Sequence, residues 1–157
     1  MSKTLKNEMK LEINSVSSNE GYARYAVSAF IVPEDPTLEE LADIRTVVSE
    51  AVTNSIIHGY RGGAGKIYVT VRIFSDRTVT IKIRDSGIGI EDIEQAMQPL
   101  YTSDPSGERG GMGFAIMDSF TDRLRVRSKP GCGTTVTMTK KLSEPESSDK
   151  SEKKAAK

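Results

Sequence analysis

The 157-residue chain contains one cysteine and one histidine, and its 22 Lys plus Arg are matched by 22 Asp plus Glu. Each scarcity closes a class of function. With Cys132 alone no internal disulfide forms, and this cysteine flanks a Gly-rich turn without the ligand spacing of a zinc site. With His58 alone no Ser-His-Asp triad can be assembled. A formal net charge of zero supplies no global field toward nucleic acid or anionic lipid. A protein partner or a small ligand is therefore expected, with neither nucleic acid nor membrane contacted directly. The start of the chain has no apolar run of the signal-peptide kind, and nowhere do 18 apolar residues follow one another, which points to a soluble protein of the cytoplasm. No glycine loop carries the Lys-Ser or Lys-Thr ending of a Walker A motif.

What is present divides at residue 142. Residues 143–157 mix Ser, Pro and both charges without an apolar face and are expected to form a disordered tail behind a single domain over 1–142. Within the domain, alternation of Met9, Leu11 and Ile13 predicts a strand near 8–14. A helix over 19–31, capped by Ser18 or Asn19, has Tyr22, Ala26, Val27 and Phe30 as apolar positions and is stopped by Pro33 and Pro36. A longer helix starts at Thr37 with Glu40 placed for a capping box and runs to about His58, ending at Gly59. Its stripe Ile44, Val48, Ala51, Val52 and Ser55 is predicted to face a sheet. Strands over 66–74 and 78–84 join through Ser75, Asp76 and Arg77, and strands over 123–128 and 134–140 through a Gly-rich turn. Short helices over 92–97 and 113–120 flank a loop over 98–112. Together these predict an α+β domain with a mixed, largely antiparallel sheet and helices on one face.

Three groups of residues carry chemistry. Residues four apart on a helix drift only about 40°, so Glu50, Asn54 and His58 form one row. The amide oxygen of Asn54 suits Mg²⁺, and the Glu50 carboxylate can take a proton from an attacking hydroxyl. His58 is more simply a packing or capping residue at the helix end. Asp85 closes a strand and enters a turn containing Gly87 and Gly89, where a carboxylate can accept from an exocyclic amine. A dinucleotide reading of these glycines fails, because Asp92 stands at the third glycine position and the strand belongs to a hairpin. Finally, Gly107 to Gly113 runs into a helix start, where backbone N–H groups favour phosphate, and Arg109 adds a guanidinium fork. Each group alone has an ordinary structural explanation; their joint order does not.

That order, Glu50-x-x-x-Asn54, Asp85-x-Gly87-x-Gly89, Gly111-x-Gly113 and Gly133-Thr134, resembles the motif series of the Bergerat (GHKL) ATP-binding fold of gyrase-type ATPases, Hsp90, MutL proteins and histidine kinases. Ser49 to Tyr60 and Gly113 to Met117 further resemble the bacterial anti-sigma factor serine kinases, sporulation type, over almost all of 8–141. The resemblance implies an α/β sandwich that binds ATP and Mg²⁺. Asn54 would ligate the metal, Glu50 would act as general base on a serine hydroxyl, and Asp85 would bind adenine with help from Thr134. Gly87 and Gly89 would shape that pocket, Arg109 would contact the γ-phosphate, and Gly111 and Gly113 would form the phosphate turn. It also implies a homodimer that holds a sigma factor of the sporulation F type inactive and phosphorylates a small anti-anti-sigma antagonist, with Arg24 and Glu20 on the partner surface. The alternatives are a general-stress kinase of the same family and a sigma-binding module gated by ATP without catalysis. The sequence departs from the family pattern at Gly110 and in the charged tail.

Overall fold

The computed structural model describes residues 2–99 and 113–146. Strand β1 (Leu5–Asn14) leads into helices α1 (Ser18–Ile31) and α2 (Leu38–Asn54), followed by the hairpin β2 (Lys66–Phe74) and β3 (Thr78–Asp85). Short helices α3 (Ile93–Met97) and α4 (Gly113–Ser119) precede a second hairpin, β4 (Arg123–Lys129) and β5 (Gly133–Lys141). The five strands pair in the order β1-β2-β3-β5-β4, so β4 takes the sheet edge and β5 is inserted between it and the central strand β3. All four ladders are antiparallel, within the largely antiparallel sheet the sequence predicts.

Period-two alternation decides which face is covered. Ile67, Val69, Val71 and Ile73 on β2, Val79, Ile81 and Ile83 on β3, and Val136 and Met138 on β5 are buried against the helices. Helix α2 lays Ile44, Val47, Val48, Ala51 and Val52 on that surface, each at most 1% exposed. Burying each of the Ile and Val side chains contributes roughly 1.5–3 kcal/mol. On α1 the buried positions are Ala23, Val27 and Ile31, spaced four apart, whereas Tyr22 is 70% exposed. The predicted apolar face of α1 is thus turned: the small Ala23, not the bulky Tyr22, meets α2.

Helix starts show where local chemistry suffices. The capping box of α2 forms as predicted, with Glu40 N donating to Thr37 Oγ1 at 3.1 Å and Thr37 N donating to Glu40 Oε2 at 2.9 Å. On α1 the cap expected from Ser18 or Asn19 does not form: the helix starts after Ser17 without a side-chain cap, and Asn19 Nδ2 instead donates to the Asn14 carbonyl. At the other end, Leu142 is buried and Ser143 N donates to Glu40 Oε1 at 2.7 Å. Residues 147–157 lie outside the described residues.

Burial alone would raise the Glu40 carboxyl, but amide donors from Ser143 and Thr37 outweigh it and hold the group below its ordinary value. A depressed carboxylate stabilises the fold above its unfolded pKa and loses that contribution as pH falls through the folded one. Thr37→Ala should therefore lower unfolding free energy in urea by about 1 kcal/mol at pH 7. The difference from wild type should shrink below pH 4.5, as Glu40 takes up its proton and the box opens in both proteins.

Candidate functional site

Helix α2 does not run regularly to Gly59. After Asn54 the chain winds into a π turn over Ser55–Gly59, closed by Tyr60 N donating to the Ser55 carbonyl at 2.9 Å. The extra residue in this turn shifts every later side chain around the axis. Residues up to Ser55 keep the phase of α2, so Glu50 and Asn54 lie on the cleft side of the helix and Ser55 faces inward, toward the end of β3.

There Ser55 meets Asp85, a carboxylate only 4% exposed. Ser55 Oγ donates to Asp85 Oδ2 at 2.9 Å, while Gly87 N and Thr134 N donate to Oδ1 at 3.0 and 3.3 Å. Three donors compensate for removing the charge from water. Thr134 Oγ1 lies 2.8 Å from Ser128 Oγ, and that hydroxyl also accepts from Ile90 N, so β4, β5 and the turn after β3 share one network. The glycines explain how the elements come this close. A Cβ on Gly87 would lie 2.1 Å from the Gly59 carbonyl oxygen, and one on Gly113 about 3.1 Å from the Asn54 amide and 3.2 Å from Glu50 Oε2.

These elements enclose a cleft of about 440 Å³ lined by Glu50, Asn54, Asp85, Gly89, Gly113 and Thr134, all anticipated from the sequence. His58 also borders it. Its walls are Ile88, Ile90, Ala96, Phe114 and Val136, with Arg61 and Glu91 at the opening. The volume falls in the usual range of small-molecule sites, and apolar walls around one buried acceptor suit a flat, amine-bearing ring. Gly87 supports the cleft from behind. Arg109 and Gly111 lie outside the described residues, as does Gly110. Arg24 and Glu20 sit apart on α1 as an ion pair of 3.0 Å, and Arg24 also donates to Ser49 Oγ at 3.3 Å, beside Glu50.

An adenine nucleotide with Mg²⁺ fits the donor set. Among the described residues no cluster of three or more His, Cys, Asp and Glu could hold a metal unaided. The Asn54 amide next to Gly113 would offer Mg²⁺ one oxygen ligand, and nucleotide sites of this kind leave the other positions to phosphate oxygens and water. Reading Ser55 as part of an apolar stripe misses its hydroxyl. The signal available was a polar residue at a buried phase directly after Asn54.

Comparison with known proteins agrees with this geometry. The model of the histidine kinase-like ATPase domain matches residues 19–140, the span from α1 through β5. Crystallised RsbU and RsbW domains from Mycobacterium tuberculosis superpose with a TM-score of 0.64 at 20% identity, covering 89% of this chain and 34% of that one. A mycobacterial sensor histidine kinase gives 0.52 at 13% identity, covering 87% of this chain and 99% of the other, so the fold is shared. Among sequences, the anti-sigma F factor of Pasteuria penetrans is 56% identical over 87% of this chain and 92% of its own length. That of Bacillus subtilis is 52% identical over 88% and 95%. The chain belongs to the anti-sigma F factor family within the histidine kinase-like ATPases.

Two substitutions test how the site is held. Ser55→Ala removes one donor to a buried carboxylate and should cost about 1–3 kcal/mol in urea unfolding. Gly87→Ala should cost more, since its Cβ has no room against the Gly59 carbonyl. A Gly87→Ala protein as stable as wild type would contradict this packing.

Proposed function

We propose that this chain is an ATP-dependent protein serine kinase and anti-sigma factor in one. The observation that carries the reading is the meeting of Glu50 and Asn54 at Gly113 in the same cleft that buries Asp85. Asp85 accepts a hydrogen bond from the adenine amine, with Thr134 beside it on β5. The apolar walls from Ile88 to Phe114 exclude water from the ring. Asn54 supplies the oxygen ligand that fixes Mg²⁺ on the phosphates, and the metal when bound neutralises charge developing on the transferred group. Glu50, on the turn preceding Asn54, takes the proton of the incoming serine hydroxyl. Arg109 contacts the γ-phosphate, and Gly111 with Gly113 gives the phosphates backbone donors. A module that only sequesters a partner has no use for a carboxylate at Glu50, which favours the kinase over pure binding.

The relatives are named for a sigma factor of the F class, and we assign this chain the same partner. Its substrate is a serine of a small anti-anti-sigma antagonist. Helix α1 offers the contact surface: Arg24 and Glu20 lie beside the exposed rings of Tyr22 and Tyr25, and the Arg24 guanidinium sits 5.1 Å from the Tyr25 ring centre. Such an aromatic and arginine patch is what protein interfaces favour. Homodimerisation fits the edge position of β1. No helix among the described residues is long and apolar enough to cross a membrane.

Phosphotransfer from labelled ATP to a candidate anti-anti-sigma protein tests the reading. Glu50→Gln should lower transfer by about 10²–10⁴-fold while nucleotide still binds. Full transfer by this variant would remove Glu50 as the base, and a wild-type protein that binds a sigma factor without transferring phosphate would leave only sequestration. In calorimetry, Asn54→Ala should lose affinity for Mg·ATP; unchanged affinity would dismiss the metal role. Arg24→Glu should weaken sigma-factor binding and leave nucleotide binding intact.

A further inference from the structure

The sheet has a second face, and no helix among the described residues covers it. Strand registers order its side chains in rows: Thr80, Thr139 and Arg123 lie side by side, then Lys82, Thr137 and Arg125, then Arg84, Thr135 and Arg127. Two cationic rails result. One is Lys82 and Arg84 on β3; the other is Arg123, Arg125, Arg127 and Lys129 on β4, and all six residues are exposed. A column of threonines on β5 floors the trough between them. Over these three strands the outward positions hold no carboxylate; those of the face, Glu8 and Glu12, stand on β1 at the far edge. Acidic residues sit instead on the helical layer, where Glu39, Glu94 and Asp118 are exposed. A net charge of zero thus conceals two faces of opposite sign.

Edge strands are often guarded by basic residues against pairing with other chains, and that accounts for β4. It does not account for Lys82 and Arg84, because β3 is paired on both sides and has no edge to guard. We propose that this face binds the phosphate backbone of double-stranded nucleic acid without reading its sequence. Within a rail, successive cations are two residues or about 6.7 Å apart, close to two base-pair steps of about 3.4 Å. The rails lie two strand spacings or about 9.5 Å apart, between the widths of the minor and major grooves at about 6 and 12 Å, so they meet phosphates on both sides of one groove. Arginine forks and threonine hydroxyls donate to phosphate oxygens, and duplex contacts of this kind position without specifying. The Tyr68 ring on this face already carries the Arg84 guanidinium at 4.2 Å from its centre, which leaves no open platform there for an unpaired base. Uniform positive charge without interspersed acids matches a polyphosphate better than the mixed surface of a folded protein.

The test is fluorescence anisotropy of a 20-base-pair DNA duplex of arbitrary sequence, titrated with the full chain across a salt series. Binding at 50 mM salt should weaken with a log–log slope of about −5 for six neutralised phosphates. Both Arg123→Glu/Arg125→Glu and Lys82→Glu should weaken binding at least tenfold and flatten the slope, with melting temperature and ATP affinity unchanged. No binding at 50 mM salt, or binding that these variants leave intact, would overturn the proposal. So would loss in the β4 variant with none in Lys82→Glu, since an edge strand alone would then be at work. If polyglutamate of matched charge bound more tightly than the duplex, an acidic protein segment would be the occupant and the nucleic-acid assignment would fail.

Discussion

The buried carboxylate of Asp85 is the constraint on which the rest of the cleft depends. An isolated ion moved into the interior loses several kcal/mol of hydration, so the fold must bring donors to it or leave it unstable. The donors come from three places far apart in sequence: a hydroxyl at the end of α2, an amide in the turn after β3, and an amide at the start of β5. Satisfying one side chain therefore locks the helix, the central hairpin and the last strand into a single mutual geometry. Nothing larger than hydrogen can be tolerated on Gly87, where two backbones cross within this lock. What remains of the carboxylate's surroundings is the open cleft, so the group that fastens the fold is also the one offered to a ligand.

Features decided by neighbours in the chain were legible beforehand. The Thr37–Glu40 box needs only residues three apart, and the two hairpins need only alternation and a short turn; both are present as expected. The residues of the cleft were legible as a motif series, and the structure brings the described ones together around one cavity. What could not be read arises from packing at a distance. Ser55, Ile56, Ile57, His58 and Gly59 look like ordinary helix, and the wider turn that Tyr60 N closes on the Ser55 carbonyl has no local signal. On α1 the face that Ala23, Val27 and Ile31 bury is a matter of tertiary fit that periodicity alone does not resolve. The same limit applies to charge: a balanced total says nothing of how strand alternation sorts the signs onto opposite faces.

The two faces of the sheet illustrate how one pattern serves unlike ends. Along β2, β3 and β5 most inward positions are aliphatic anchors for the helices, with Asp85 and Thr134 as the polar exceptions at the cleft, and the residues between are free to vary in polarity without touching the core. A change of surface chemistry on the open face leaves the Asp85 network unaffected, because the two are separated by the thickness of the sheet.

The segment that follows β5 has a mechanical aspect. Ser143 is gripped twice, its amide by Glu40 and its carbonyl by Arg77 Nε at 2.9 Å, and Glu40 belongs to the first turn of α2. Helix α2 is a rod of 17 residues, roughly 25 Å long, whose opposite end carries Asn54 and the π turn. A load on Ser143 is therefore shared: Glu40 passes it to the start of this rod and Arg77 to the β2–β3 turn, so the end of β5 is coupled to the helix that holds the site as well as to the sheet.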